Sequence, residues 1–267
     1  ARDVVIDSSG RIVFVGSIVG AVAPDAAIVG RLTSNGQLDS TFATLGYFIN
    51  EFNGDAQLDA IDIRPNGNLV AIGTHVVSYS TGPQNALIVC LTDQGALDST
   101  CNSVGWDFLS DFPNDVYADD VFVTPDNKIL FSGASDDGNP RPFVMRLNHN
   151  GTPDNSFATS GMWRGTSLIG RMYSVTIQSD GRILAAGQLD AQGTMSVGVV
   201  RLANTVVVTT TTTTDAPLVT TSTTVPPSTI APEQLPATGN QFDSLTAALL
   251  LTALGSIFVA ARRRSSH

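Results

Sequence analysis

Apolar and polar residues alternate along four short stretches of this chain. Val4 and Ile6 share one side of the first, and Ile61 with Ile63, Val121 with Val123 and Val175 with Ile177 repeat the pattern. A tight turn follows each stretch, with Gly or Asn available for positive φ: Ser8-Ser9-Gly10-Arg11-Ile12, Pro65-Asn66-Gly67-Asn68-Leu69, Pro125-Asp126-Asn127-Lys128-Ile129 and Ser179-Asp180-Gly181-Arg182-Ile183. The next stretch is apolar on both sides, over Ile12 to Val15, Leu69 to Ile72 and Ile183 to Ala186, as a strand packed between two neighbouring sheets requires. A third runs over Ala27 to Leu32, Leu87 to Leu91, Phe143 to Leu147 and Val197 to Leu202. A fourth begins at Gly46, Gly105 and Gly161 and carries Tyr47, Phe48, Trp106, Phe108 and Trp163. No stretch before residue 204 keeps a helical period.

These stretches form a repeat. Gly16 returns as Gly73, Gly133 and Gly187, and Arg31-Leu32 as Cys90-Leu91, Arg146-Leu147 and Arg201-Leu202. Leu38-Asp39-Ser40-Thr41-Phe42 returns as Leu97-Asp98-Ser99-Thr100-Cys101 and, more loosely, as Pro153-Asp154-Asn155-Ser156-Phe157. The turn moves 57, 60 and then 54 residues along the chain. Four strands per unit with a two-faced second strand predict all-β, propeller-like blades, in units of about 1–57, 58–116, 117–170 and 171–203. A β-sandwich or an open solenoid remains the alternative. The Asp180 to Leu184 turn, the Arg-Leu pair and the Leu-Asp-Ser-Thr-Phe segment resemble the bacterial delta-60 repeat family, across residues 1 to about 203. That resemblance implies a β-propeller on an exported protein and no established activity. Two units depart from the pattern. The second replaces its Arg and Phe by Cys90 and Cys101, and the fourth stops after its third strand. A closed ring takes four to eight blades, so the units are expected to be the C-terminal part of a longer propeller.

From Asn204 to Gln234 the pattern disappears. Thr209 to Thr214 is unbroken threonine, followed by Pro217, Pro226, Pro227 and Pro232, which predicts an extended, disordered stalk reaching at most ~100 Å. Residues 235–267 then bring an apolar run from Leu245 to Ala261, long enough at ~1.5 Å per residue to cross a bilayer's hydrocarbon. Arg262, Arg263 and Arg264 follow it and would hold that end in the cytoplasm. Ahead of the run stand Leu235, Pro236, Ala237, Thr238 and Gly239. Pentapeptide, membrane stop and basic tail together resemble a sortase cell-wall sorting signal; an ordinary single-pass anchor is the plainer alternative. The resemblance implies that a sortase thiolate attacks the carbonyl of Thr238, that Gly239 leaves as an amine, and that Thr238 passes to an amine of peptidoglycan. It also implies export through a transient membrane precursor. The chain opens at Ala1 with no signal peptide in view, so a missing N-terminus is expected.

Charge narrows the partners. Residues 1–203 hold 11 basic and 21 acidic side chains, which gives them the whole chain's net −10 and makes nucleic acid an unfavourable partner. The chemistry is sparse. His75 and His149 fall at different points of the repeat and read as loop residues. Asp39, Asp98 and Asp154 offer a ring of carboxylates, but an Asx turn in each Asp-Ser-Thr explains them better. Asp119-Asp120 and Asp136-Asp137-Gly138-Asn139 hint at calcium without a regular ligand spacing and default to solvated loops. No catalytic residue, metal or cofactor is assigned. The segments 17–26, 74–85, 134–142 and 188–196 vary most and read as loops on one face, where an unknown surface ligand would bind. Cys90 replaces the Arg of its column and Cys101 the Phe of its column, in one and the same unit. The two columns are therefore expected to touch: Arg31 on Phe42, Arg146 on Phe157, and a disulfide from Cys90 to Cys101. The function expected is a wall-anchored binding or adhesion module, not an enzyme. A propeller hydrolase or lyase with a central-channel site, or a structural surface-layer component, is the alternative.

Overall fold

The structure, a computed structural model, describes residues 1–19, 24–77, 83–109, 112, 115–136, 138–191 and 193–203. The Thr/Pro segment, Leu235 to Gly239, the apolar run and Arg262 to Arg264 lie outside the described residues, and so does part of each expected variable loop. No helix among the described residues is long and apolar enough to cross a membrane.

Every described element is a strand, and all pairing between strands is antiparallel. The first sheet is β1 (Asp3–Ile6), β2 (Ile12–Ile18), β3 (Ala26–Leu32) and β4 (Tyr47–Asn50), in that order. The second is β5 (Asp55–Ile63), β6 (Leu69–Val76), β7 (Gln84–Leu91) and β8 (Trp106–Leu109). The third is β9 (Asp115–Val123), β10 (Ile129–Asp136), β11 (Pro140–Leu147) and β12 (Met162–Arg164). The fourth has β13 (Gly170–Ile177), β14 (Ile183–Ala191) and β15 (Thr194–Leu202), without a fourth strand among the described residues. Each sheet is a propeller blade. The blades begin at Asp55, Asp115 and Gly170, slightly ahead of the unit starts read from the repeat, because the first strands extend back past the alternating core.

The two-faced second strands pack as their sequence demands. Leu69 and Ala71 join Val13, Val15 and Ile61 between blades one and two, while Val70 and Ile72 join Val121 and Phe131 between blades two and three. Leu130 turns the other way, toward Val175, Ile183 and Ala185 of blade four. Each fully buried side chain of this kind stabilises the junction by roughly 1.5–3 kcal/mol. The outer faces of the end blades lack this cover: Ile6 is 64 % exposed and Val197 77 %.

First strands lie innermost. Asp3 accepts a hydrogen bond from the Ile61 amide (2.9 Å), Asp62 from Val123 (2.7 Å) and Asp120 from Val175 (2.8 Å). A first-strand carboxylate of each of blades one to three thus clamps the first strand of the next. Asp119-Asp120 therefore belongs to strand β9, not to a solvated loop. The expected variable loops are also shorter than read. Thr74 to Val76, Ala134 to Asp136 and Gln188 to Ala191 continue the second strands, and Gln84 to Ala86 and Pro140 to Pro142 open the third. These residues still alternate around a ladder, so they extend the sheet. His75, read as a loop residue, lies buried in β6.

Candidate functional site

Two regions gather polar side chains on this frame. The first lies where the third strand of each blade ends. Asp39 accepts from the Thr41 amide (3.1 Å) and hydroxyl (2.6 Å), Asp98 likewise from Thr100 (3.0 and 2.6 Å), and Asp154 from Ser156 (3.0 and 2.7 Å). These are the Asx turns the sequence suggests. Arg31 Nε reaches Asp39 at 2.7 Å and stacks on Phe42, 4.7 Å from the ring centroid. Arg146 Nε reaches Asp154 at 2.9 Å and lies 5.1 Å from the Phe157 centroid. In blade two the matching positions are Cys90 and Cys101, bonded to one another with their Cα atoms 6.2 Å apart.

Blade two also supplies a guanidinium from elsewhere. Arg64, at the start of its first turn, places Nη2 3.4 Å from Cys90 Sγ and donates from Nη1 to the His149 carbonyl (2.8 Å). Arg31 Nη1 makes the matching bond from blade one to the Asp93 carbonyl of blade two. The bond between blades is thus kept while its donor moves to the turn after the first strand. Burial lowers the pKa of Arg64, with Asp98 opposing that shift. The guanidiniums of Arg31 and Arg64 tie neighbouring blades, while the turns, ion pairs and disulfide brace the corner of each blade.

The second region lies at the axis and was not singled out from the sequence. Each first strand of blades two to four contains a β-bulge, at Asp59, Asp119 and Tyr173. A bulge re-aims the side chain of its extra residue. Across the ladder stand Gly73, Gly133 and Gly187, paired with Leu58, Ala118 and Met172. A Cβ on these glycines would run into the carbonyl oxygens of Gln57, Tyr117 and Arg171. The repeated glycine is therefore the residue that lets the strand bulge. Arg2 occupies the same place in blade one, its amide bonded to the Val15 carbonyl at 2.8 Å beside Gly16.

Arg2, the bulge residues Asp59 and Asp119, and Gln57, Tyr117 and Arg171, two places before the bulges, line a cavity of about 260 Å³, together with Asp25, Asp55, Thr74 and Gln84; the bulge residue Tyr173 is half exposed and stands outside that lining. Arg171 grips Asp119 with two bonds, from Nε at 2.6 Å and from Nη2 at 2.7 Å. Its guanidinium lies 4.5 Å from the ring centroid of Tyr117 and 5.6 Å from that of Tyr173. Arg2 bridges to Asp59 at 3.1 Å and donates to Gln57 Oε1 at 3.0 Å. Burial raises both carboxyls above their ordinary range. Arg2 opposes the rise at Asp59 and Arg171 at Asp119, while Asp59 and Asp120 push Asp119 further up. No group of three or more metal-ligating side chains occurs among the described residues. His75 stacks on Phe108 with ring centroids 4.1 Å apart, and burial lowers its pKa. His149 lies in the turn after β11; neither histidine lines the cavity.

The sequence did carry one signal for this site. Six residues before each turn stand Arg2, Asp59, Asp119 and Tyr173, and eight before it Gln57, Tyr117 and Arg171. Polar or aromatic residues hold these two positions in every blade that has them. Comparison with known families agrees with the fold and with the C-terminal signal. A family described as a domain of unknown function (DUF5122) beta-propeller matches residues 8–42 and 124–157. The family described as the LPXTG cell wall anchor motif matches residues 227–266. No curated protein matches the chain.

Proposed function

The chain is a cell-wall-anchored surface protein with a β-propeller domain, and we propose that the propeller is a binding module whose site is the axial cavity. The protein is secreted through a transient membrane-bound precursor, and its anchor motif implies sortase processing and covalent attachment to peptidoglycan. Thr238 is the residue we assign to that bond. One observation carries the binding reading. The axial columns differ from blade to blade in charge and shape, yet they converge on one cavity. Positions that serve folding, such as Asp39, Asp98 and Asp154, repeat; positions free of that duty vary and meet where a ligand can enter.

The test uses protein released from walls by a muralytic enzyme, which should end at Thr238 joined to wall peptide. Once immobilised, it should retain a component of the surrounding medium that a Tyr117→Ala/Arg171→Ala variant of equal stability does not retain. Equal retention by both overturns the axial site. A second reading, an extracellular hydrolase or lyase in the same cavity, draws on Asp59 and Asp119, two carboxyls raised by burial and close enough to affect one another. Release of the retained component in chemically altered form, abolished by Asp59→Asn, favours that reading.

A further inference from the structure

The axial cavity is acidic overall, with Asp25, Asp55, Asp59 and Asp119 against Arg2 and Arg171, and both of its guanidiniums are already bridged. Asp119 holds Arg171 through both oxygens, and Asp59 holds Arg2. An anion would meet the surplus carboxylates and would have to compete with one of these pairs for its guanidinium. Displacing either carboxylate leaves it unpaired in a partly desolvated site, which is unfavourable. What remains available is hydrogen-bonding capacity. A guanidinium has five N–H donors and a carboxylate about four lone-pair positions, so each group keeps sites free after its bridge is made. Gln57 and Thr74 add an amide and a hydroxyl close to Asp59. Donors and acceptors therefore alternate over a few ångströms. A hydroxyl-rich ligand, whose groups both donate and accept, uses this lining without breaking a pair.

Size and shape point the same way. At about 260 Å³ the cavity falls just under the ~300–1,000 Å³ that holds a drug-sized ligand, and so suits one small ring. Tyr117 lines the cavity against Arg171 and presents flat apolar surface beside the polar groups. Sugar rings combine hydroxyls at their rim with apolar C–H faces, which matches that arrangement.

We propose that the axial cavity binds a neutral sugar ring, and that Arg2 and the bulge residues Asp59 and Asp119 are the positions that select which sugar. The proposal rests on the binding reading above and adds the ligand class and the selecting residues. In blades two and three the glycine opposite the bulge fixes the backbone, and the bulge side chain is delivered to the cavity. Blades can then differ in this one residue while sharing their fold.

The experiment titrates the full chain with neutral hexoses and their short oligosaccharides. Alanine as a zwitterion, putrescine as a cation and glucuronate as an anion serve as rivals. Ring resonances of Tyr117 report on the cavity. At least one neutral sugar should shift them saturably. Gln57→Ala and Asp59→Asn, checked for native melting, should each weaken its binding tenfold or more, and Asp180→Asn on the exposed turn should leave it unchanged. An altered order of preference among hexoses in Asp59→Asn is expected if the bulge residue selects. Binding of alanine, putrescine or glucuronate at Tyr117, with no sugar binding, overturns the ligand class and leaves the axial site standing. Sugar binding that leaves Tyr117 unshifted, and survives both substitutions, overturns the axial site itself. A chain whose Tyr117 ring answers no probe overturns the sugar proposal. Unchanged preference in Asp59→Asn overturns selection by the bulge.

Discussion

The corner after the third strand and the axis of the propeller are built from the same repeat, yet they treat it in opposite ways. At the corner the chemistry is constant even where residues change. Blade two loses its Arg and Phe to Cys90 and Cys101, and Arg64 then reaches the carbonyl of the following blade from the turn after β5. At the axis the backbone is constant and the residues change: the same bulge presents Asp, Asp and Tyr. The corner shows what folding selects, a guanidinium in one place. The axis shows what remains when folding has fixed only direction.

Breaking the corner should give the largest effect. Arg31 is 1 % exposed and its carboxylate partner Asp39 is nearly as buried. Arg31→Ala leaves that carboxylate without its cation and should cost about 3–5 kcal/mol in a urea melt. Arg64→Ala removes a charged donor from a carbonyl instead of a carboxylate, so about 1.5–3 kcal/mol is expected. Equal losses would show that the carboxylate adds nothing, and that the bond between blades is the whole contribution of both arginines.

The disulfide sharpens the same contrast. It joins residues 11 apart in sequence. By chain entropy a loop of that size contributes ~3 kcal/mol at most. A Cys90→Ala/Cys101→Ala variant should therefore melt earlier by no more than this, with Arg64 still in place. Cys90→Arg/Cys101→Phe should recover less than the neighbouring corners suggest, because Arg64 already fills the guanidinium position. Full recovery would mean that the two arginines do not compete for that space. Free alkylation of both thiols in the folded, secreted protein would remove the disulfide from this account.

Much of the fold can be read from the sequence because repetition reveals it. Turn glycines, the Arg and Phe columns and the two-faced second strands recur at fixed offsets, and the offsets predict contacts such as Arg31 on Phe42. The axial site hides for a definite reason. Strict alternation puts Asp59 on the side of Ile61 and Ile63, toward blade one. The bulge reverses the phase, so that Leu58 and Ile61 share the junction instead and Asp59 is freed. Gly73 was the signal of that reversal, but a repeated glycine reads equally well as a turn or a bend. The variable segments misled for a related reason. Length differences between units read as loops, whereas Thr74 to Val76 and Gln188 to Ala191 lengthen the strands.

The smallest effect separates the two regions by the sign of their response to pH. At the corner, burial works against Asp154, but hydrogen bonds from Ser156 and Lys128 and the charge of Arg146 outweigh it and hold its pKa at about 2, below the ordinary 3.8. Asp39 is lowered as well, chiefly by the Thr41 hydroxyl. A carboxyl whose folded pKa is depressed contributes stability that is present above its unfolded pKa and is lost as pH falls through the folded one. The corners should therefore weaken between about pH 4 and pH 2. At the axis the sign reverses. Burial raises Asp59 and Asp119, so their contribution is present below the unfolded pKa and is lost as pH rises through the raised folded values. Acidifying from neutral should first strengthen the fold as the axial carboxyls take up protons, and then weaken it as the corners do. Urea midpoints across that range should pass through a maximum on the acid side of neutral. Asp59→Asn should flatten the rise and leave the fall, and Asp154→Asn should do the reverse. A midpoint that falls steadily from pH 7, equally in both variants, would mean that the two regions titrate alike and that burial at the axis does not set the protonation of its carboxyls.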